Sequence, residues 1–400
     1  MSTISAVVLR GGRWCRWSAD HRHRTIATAP WLAAIVLTGA SAGSCTGGVS
    51  RTALPVALER LVSDRAAPSI DSIEVWICDV PAVTADPLYG DLPLRLALDP
   101  AVVTGQIADR TSDYFATISH GLYNPSFSAG ATIEMSEDDT AETCLDAALD
   151  RSSPTATVVL AVATAEHVAG ISGGWGRPGS WFECSTDCAA RTTRRAAYVG
   201  ASDFNPDWGA VPLLDLIEHE IGHTLGLPHS GIDPDDGSYL SGLDLMSNSA
   251  APRHHDQARR DAPDTLAINR LDLGWLPVAD IEVISTDTDT DTETDFALSP
   301  SAGVDGRRLA VIELDAHRVI SIEFLAATGF DDHFEHSGVA VHLIDDRPGD
   351  RELRLQQPLG AGPPHLDLLQ AGDELEVEGW RVRVNEVGAT ARVAVTAANR

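Results

Sequence analysis

Between positions 219 and 230 the chain reads HEIGHTLGLPHS. Three histidines and a glutamate sit on what is otherwise an apolar segment, and such groups are costly to bury unless they are paired or used. On an α-helix, residues four apart differ by only about 40° in direction, so His219 and His223 project from one face. Two imidazoles on one face can share a zinc ion, and Glu220, beside the first, is placed to reach a water on that ion. Gly226 can take the left-handed conformation that ends a helix and swings the chain round. That turn brings His229 back as a third ligand. Three neutral nitrogens leave a fourth position for water, the arrangement of a catalytic rather than a structural site. The chemistry implied is hydrolysis: a water with its pKa lowered toward about 7 attacks a carbonyl, while Glu220 takes its proton and returns it to the leaving amine.

The elements that must position these groups are legible upstream. SIEVWICDV, around 69–80, has the pattern of a buried strand. Asp99 and Pro100 form an N-cap and N1 pair opening a helix with Val103, Ile107, Tyr114, Phe115 and Ile118 near one face. AGATIEM and ATVVLAVATA predict further strands, with ETCLDAALD a short helix between them. RRAAYVG predicts a strand before the loop ASDFNPDWG, and Pro212 is expected to start the helix PLLDLIEHEIGHTLG. This alternation predicts an α/β (α+β) domain over 71–284, with a mixed sheet and the histidine helix packed beneath it. The run STDTDTDTETD within 285–296 has no apolar face and reads as an extended, self-repelling linker. Beyond it, RLAVIELDA, VISIEFLAA, GVAVHLIDD, GWRVRVNEV and ARVAVTA alternate apolar and polar residues, predicting a small all-β sandwich over 297–400.

With those elements in place, HEIGHTLGLPH resembles the metzincin signature H-E-x-x-H-x-x-G-x-x-H at every fixed position. That family also has a methionine-containing turn beneath the metal, and LDLMSNS supplies Met246, seventeen residues after His229. By resemblance, its side chain is an apolar floor under the ligands and does not bind the ion. INRLDLGWLP (268–277) extends the likeness to secreted gametolysin-like and immune inhibitor A-like peptidases, which often carry an LGWL-type segment and a β-rich C-terminal region. The motif match covers 219–246 and the looser likeness about 71–345. The resemblance implies a zinc metalloendopeptidase with His219, His223 and His229 as ligands and Glu220 as general base. The serine after His229 is matrixin-like, but the matrixin cysteine switch PRCGVPD is absent. No tyrosine follows Met246 to act as an astacin-type fifth ligand.

The whole chain fits an exported protein. It has 400 residues, a net charge of −29 and no lysine among its 29 basic residues. Such acidity argues against nucleic acid or an anionic membrane as partner and leaves protein or peptide substrates. Residues 1–30 carry five arginines and one acid and are followed by WLAAIVLTGASAGSC, too short to span a bilayer but suited to a secretory signal over 1–44. Ala40-Ser41-Ala42 reads as a cleavage site; alternatively Cys45 takes a lipid anchor, and 45–70 is an N-terminal linker. No transmembrane span is expected in the mature chain. Cys78, Cys144, Cys184 and Cys188 are an even set for an oxidising compartment, with Cys78–Cys144 and Cys184–Cys188 the favoured pairing over a zinc knuckle.

Other segments read more plainly. GIDPDDGSY (231–239) could hold Ca2+ but fits a solvated loop better. GGWGRPGSW (173–181) reads as a loop shaping the cleft, and RRAAYVG as the edge strand a substrate would pair with. His254, His255, His333 and His336 read as surface residues. The rival to the peptidase reading is a catalytically inactive surface binding or adhesion protein that keeps zinc for structure. Retention of Glu220, which need not bind zinc, counts against it.

Overall fold

The computed structural model describes residues 54–63, 70–81, 95–165, 174–177, 195–233, 238–249, 258–284, 293–347, 350–356 and 368–398. The leader at 1–44, Cys45, Cys184, Cys188, His254, His255 and most of the Thr/Asp run lie outside these residues, as do the expectations placed on them. In the segment read as an N-terminal linker, Val56–Ser63 forms a helix, α1, and buries Ala57 and Leu58.

Strand β1 (Ser72–Asp79) pairs in parallel with β2 (Ser126–Glu134) and β3 (Val158–Ala163). Strand β4 (Gly174–Arg177) runs antiparallel to β5 (Arg195–Val199), itself parallel to β3, giving the order β2-β1-β3-β5-β4. Ile73, Val75 and Ile77 face one side and Trp76 and Cys78 the other, as the two-residue period of a strand dictates. Both sides are covered, so the central strands are mostly apolar rather than alternating, Glu74 of β1 being the buried exception, which accepts from the Ser153 amide at 2.8 Å.

Helix α2 (Pro100–Ile118) covers the first side. Asp99 caps it, its carboxylate accepting from the amides of Ala101 (2.9 Å) and Val102 (3.1 Å), and its five predicted apolar residues are all buried. Helix α3 (Ala141–Arg151), capped by Thr140, covers the second side, and a Cys78–Cys144 disulfide ties it to β1 with Cα atoms 6.0 Å apart.

The histidine-bearing helix, α4 (Asp215–Thr224), packs with α2 on the first side. Helix α5 (Ala267–Asp272) follows. Then come β6 (Ile281–Ile284), β7 (Thr294–Leu298), β8 (Leu309–Glu313), β9 (Arg318–Leu325), β10 (Gly338–Arg347), β11 (Asp350–Leu355), β12 (Glu374–Val377), β13 (Trp380–Val387) and β14 (Ala391–Ala397). These form two sheets, β11-β10-β9-β8-β6 and β12-β13-β14-β7. Trp380, Val382 and Val384 of β13 join Ala310 and Ile312 of β8 and Ile320 and Ile322 of β9 in one core between the sheets, while Arg381 and Arg383 face out.

The other face of the five-stranded sheet carries Leu309, Val311, Val319, Ala340 and Leu353. It meets Leu58 of α1, Leu266, Ile268 and Leu271 around α5, and Leu276. Hydrogen bonds also cross the same contact. Glu323 of β9 accepts from the Ala267 amide at 2.8 Å, and Asp331 accepts from the Asp264 amide at 2.9 Å. The sheet and the elements leading out of the histidine region therefore share one interior. No described helix is long and apolar enough to cross a membrane.

Candidate metal centre

Helix α4 begins three residues later than Pro212, at Asp215. The Leu213 amide donates to the Asp203 carbonyl at 3.0 Å, and the amides of Leu214 and Asp215 donate to the Arg260 carbonyl at 2.8 and 3.1 Å. That backbone is committed to neighbouring segments and cannot join the helix earlier. At the other end Gly226 has φ +91°. The Gly226 amide donates to His223 O at 2.9 Å and the Leu227 amide to Gly222 O at 3.2 Å, the two bonds of a Schellman turn.

The turn also orients an imidazole. The Leu227 carbonyl lies 2.9 Å from His223 Nδ1, and the Leu245 carbonyl lies 2.7 Å from His219 Nδ1. A carbonyl can only accept, so each Nδ1 carries the proton and each Nε2 keeps its lone pair. His223 Nε2 and His229 Nε2 are 2.9 Å apart, and the donor atoms of His219, His223 and His229 all lie within 4.8 Å of one another. Burial lowers the pKa of all three imidazoles, that of His229 to about 3. They are therefore neutral at neutral pH and able to donate lone pairs to a metal.

Glu220 is buried beside them, and its Oε2 has no hydrogen-bond partner among the described residues. Burial, and then the charge of Asp203, push its carboxyl well above the usual range. Strand β4 lies directly over the helix: a Cβ on Gly174 would sit 2.7 Å from Glu220 Oε1, and one on Gly176 would overlap the Glu220 carbonyl oxygen. Gly176 needs glycine because the helix backbone approaches so closely, whereas at Gly174 the nearest neighbour is the Glu220 side chain.

Met246 is fully buried, and a Cβ on Gly222 would sit 2.5 Å from its Sδ. It thus packs beneath the helical turn between the first two histidines. Its segment holds both ends of the triad. The Leu245 carbonyl anchors His219, and the Met246 carbonyl accepts from the amide of Ser230, next to His229, at 2.9 Å. The Ser230 hydroxyl in turn donates to Asp244, whose carboxylate also accepts from the Leu266 amide at 3.0 Å.

The structure brings His219, Glu220, His223, His229, Gly226 and Met246 into one place. His333 and His336 stay apart, His333 beside the Phe330 carbonyl and His336 exposed next to Glu335. Asp235 and Asp236 of the calcium-loop expectation lie outside the described residues. RRAAYVG is not an edge: β5 lies between β3 and β4, and β4, from the glycine-rich stretch, is the outer strand on that side. Pairing on both sides of β5 leaves it no open backbone groups, a partnership its own sequence does not display. The Gly174-x-Gly176 spacing, with both residues on one strand face, was the available signal for the close approach. Tyr239, which stacks on His229 with ring centroids 4.1 Å apart, had no such signal.

No family model and no curated protein matches this chain. Among solved structures, the crystal structure of metalloproteinase-II from Bacteroides fragilis is similar with 14% identity and a TM-score of 0.28, over 55% of this chain. The match spans 60% of that chain. A likeness at this score decides nothing about the chemistry of the histidine site, which stands on its own geometry.

Proposed function

We propose that the chain is a zinc-dependent peptidase of metzincin type, acting outside the cytoplasm. The observation that carries this reading is the convergence of three neutral imidazoles, two with their Nδ1 protons anchored on carbonyls, beside a buried carboxylate oxygen that has no hydrogen-bond partner among the described residues. This donor set fits zinc, with His219, His223 and His229 as ligands. When bound, zinc would polarise the scissile carbonyl and acidify the attacking water.

The chain's own groups would do the rest. Glu220 takes the proton of the water at its carboxylate and passes it to the nitrogen of the departing amine. The Leu227 and Leu245 carbonyls keep two imidazoles in the productive tautomer and orientation. Met246 supports the helix from below. An extended substrate would add to β4, the outer strand on that side among the described residues, its backbone pairing with that strand above α4. The paired sheets would form a β-sandwich domain that takes in β6 and β7 and so begins ahead of the expected position 297, because β6 pairs with β8 and β7 with β14. Residues 1–44 would direct export, with cleavage after Ala42 or lipid attachment at Cys45.

The test uses residues 46–400 expressed in an oxidising compartment, beside Glu220→Ala. Zinc content is measured first, then new peptide termini by mass spectrometry after incubation with a mixed protein substrate. Zinc in both proteins, with cleavage by the parent alone and lost on chelation, is the expected result. Zinc in both without cleavage by either favours the binding-protein reading, and absence of zinc from folded parent rejects the metal centre.

A further inference from the structure

The three histidines are not held alike. His219 and His223 each have a backbone carbonyl at Nδ1, 2.7 and 2.9 Å away. His229 has no such anchor among the described residues; its one polar neighbour there is His223 Nε2. An imidazole without a partner at Nδ1 is free to turn about its terminal torsion, which weakens a metal site by the ordering it must then undergo.

Tyr239 packs against the face of this ring instead. Its ring stacks on His229 at 4.1 Å between centroids and 27° between planes, and lies 6.0 Å from His219. The phenol hydroxyl has no hydrogen-bond partner among the described residues, so the contact is made by the ring face. The turn that presents the ring is itself held. Tyr239 bridges Ile232, the Asp233 amide donates to Ser238 O at 2.6 Å, and Leu240 N donates to Gly231 O at 3.3 Å. Gly231, at φ +63°, bends the chain directly after Ser230. The Ile232 amide donates to Leu353 O on β11 at 3.3 Å, which fastens the stem of the turn to the paired sheets.

We propose that Tyr239 is the positioning residue of the third ligand: its ring face, in place of a carbonyl, holds the His229 imidazole in the orientation that accepts zinc. This rests on the reading of the three histidines as zinc ligands. The hydroxyl is dispensable and the aromatic face is not.

The experiment is a chelator-competition titration with zinc of the parent, Tyr239→Phe, Tyr239→Leu and Tyr239→Ala, with metal-free thermal unfolding of each as the control for folding. Tyr239→Phe should bind zinc within about twofold of the parent. Tyr239→Leu and Tyr239→Ala should bind about tenfold more weakly, the size expected for a lost ring contact or ligand support. Metal-free melting of the folded variants should stay together, so the loss would not follow from general destabilisation. Should Tyr239→Ala fail to fold, Tyr239→Leu gives the same comparison with side-chain bulk kept. The proposal is overturned if the leucine and alanine variants keep the parent's affinity, or if Tyr239→Phe loses as much as they do. A parent that binds no zinc rejects the metal centre itself and is recognised because all four proteins then read alike.

Discussion

A single glycine can mark a place where the chain bends, or a place where something else must come close. Gly174 and Gly176 are of the second kind. A methyl group at Gly176 would meet the backbone of Glu220, which cannot move without moving the helix, and would lie 2.9 Å from His223 Cβ. A methyl at Gly222 would meet Met246 Sδ, the outer part of a flexible side chain. We therefore expect Gly176→Ala to cost about 1–3 kcal/mol of stability and to abolish turnover, with Gly222→Ala clearly milder. Denaturant unfolding of the two variants side by side checks the order; equal losses would mean that β4 is not seated on the helix as described.

Among the helices, two ends of similar energetic weight have different consequences. Asp99 caps α2 far along the chain from the triad, so Asp99→Ala should cost about 1 kcal/mol and leave zinc affinity unchanged. Gly226 ends α4 at φ +91°, where a side chain is strained by about 1–3 kcal/mol. The same turn places the Leu227 carbonyl on His223 Nδ1. Gly226→Ala should thus lose zinc affinity as well as stability. Unfolding curves paired with zinc titrations separate the two cases, and unaltered zinc binding in Gly226→Ala would show that the turn does not set the ligand. Both caps were legible in the sequence because a cap is a local event, set by side chains within a few residues. The start of α4 was not, since Leu213, Leu214 and Asp215 bond to Asp203 and Arg260, outside the helix's own sequence.

Across the assembled interior, the buried acids between α5 and the paired sheets give a pH dependence of defined sign. Glu323 is fully buried, and burial raises its pKa from 4.5 to about 7 despite the Ala267 amide and Arg270. Asp244 and Asp331 are shifted upward for the same first reason. A raised acid pKa means that the folded state binds the proton more tightly than the unfolded chain. Stability from this source is therefore highest below pH 4.5 and falls as pH rises toward about 7, by about 3 kcal/mol for Glu323 alone. Glu323→Gln should flatten the unfolding free energy across that window. An unchanged slope would place the titration elsewhere.

The grouping of the three histidines, the neighbouring glutamate and the turn between them can be read from the order of residues, because helix periodicity and a glycine break fix those relations within twelve residues of chain. So can the apolar strands and the cap of α2; the Cys78–Cys144 pairing was favoured in the sequence, but the disulfide itself is decided by the fold that brings helix α3 onto β1. Which strand lies at the edge is a different matter, since β5 reads as a strand whatever pairs with it, and only the placement of β4 in space closes its second side. The orientation of each imidazole likewise arises on folding: Leu227, Leu245 and Tyr239 act through two backbone carbonyls and a ring face. A carbonyl is common to every residue and a stack needs no fixed spacing, so neither leaves a mark in the order of amino acids.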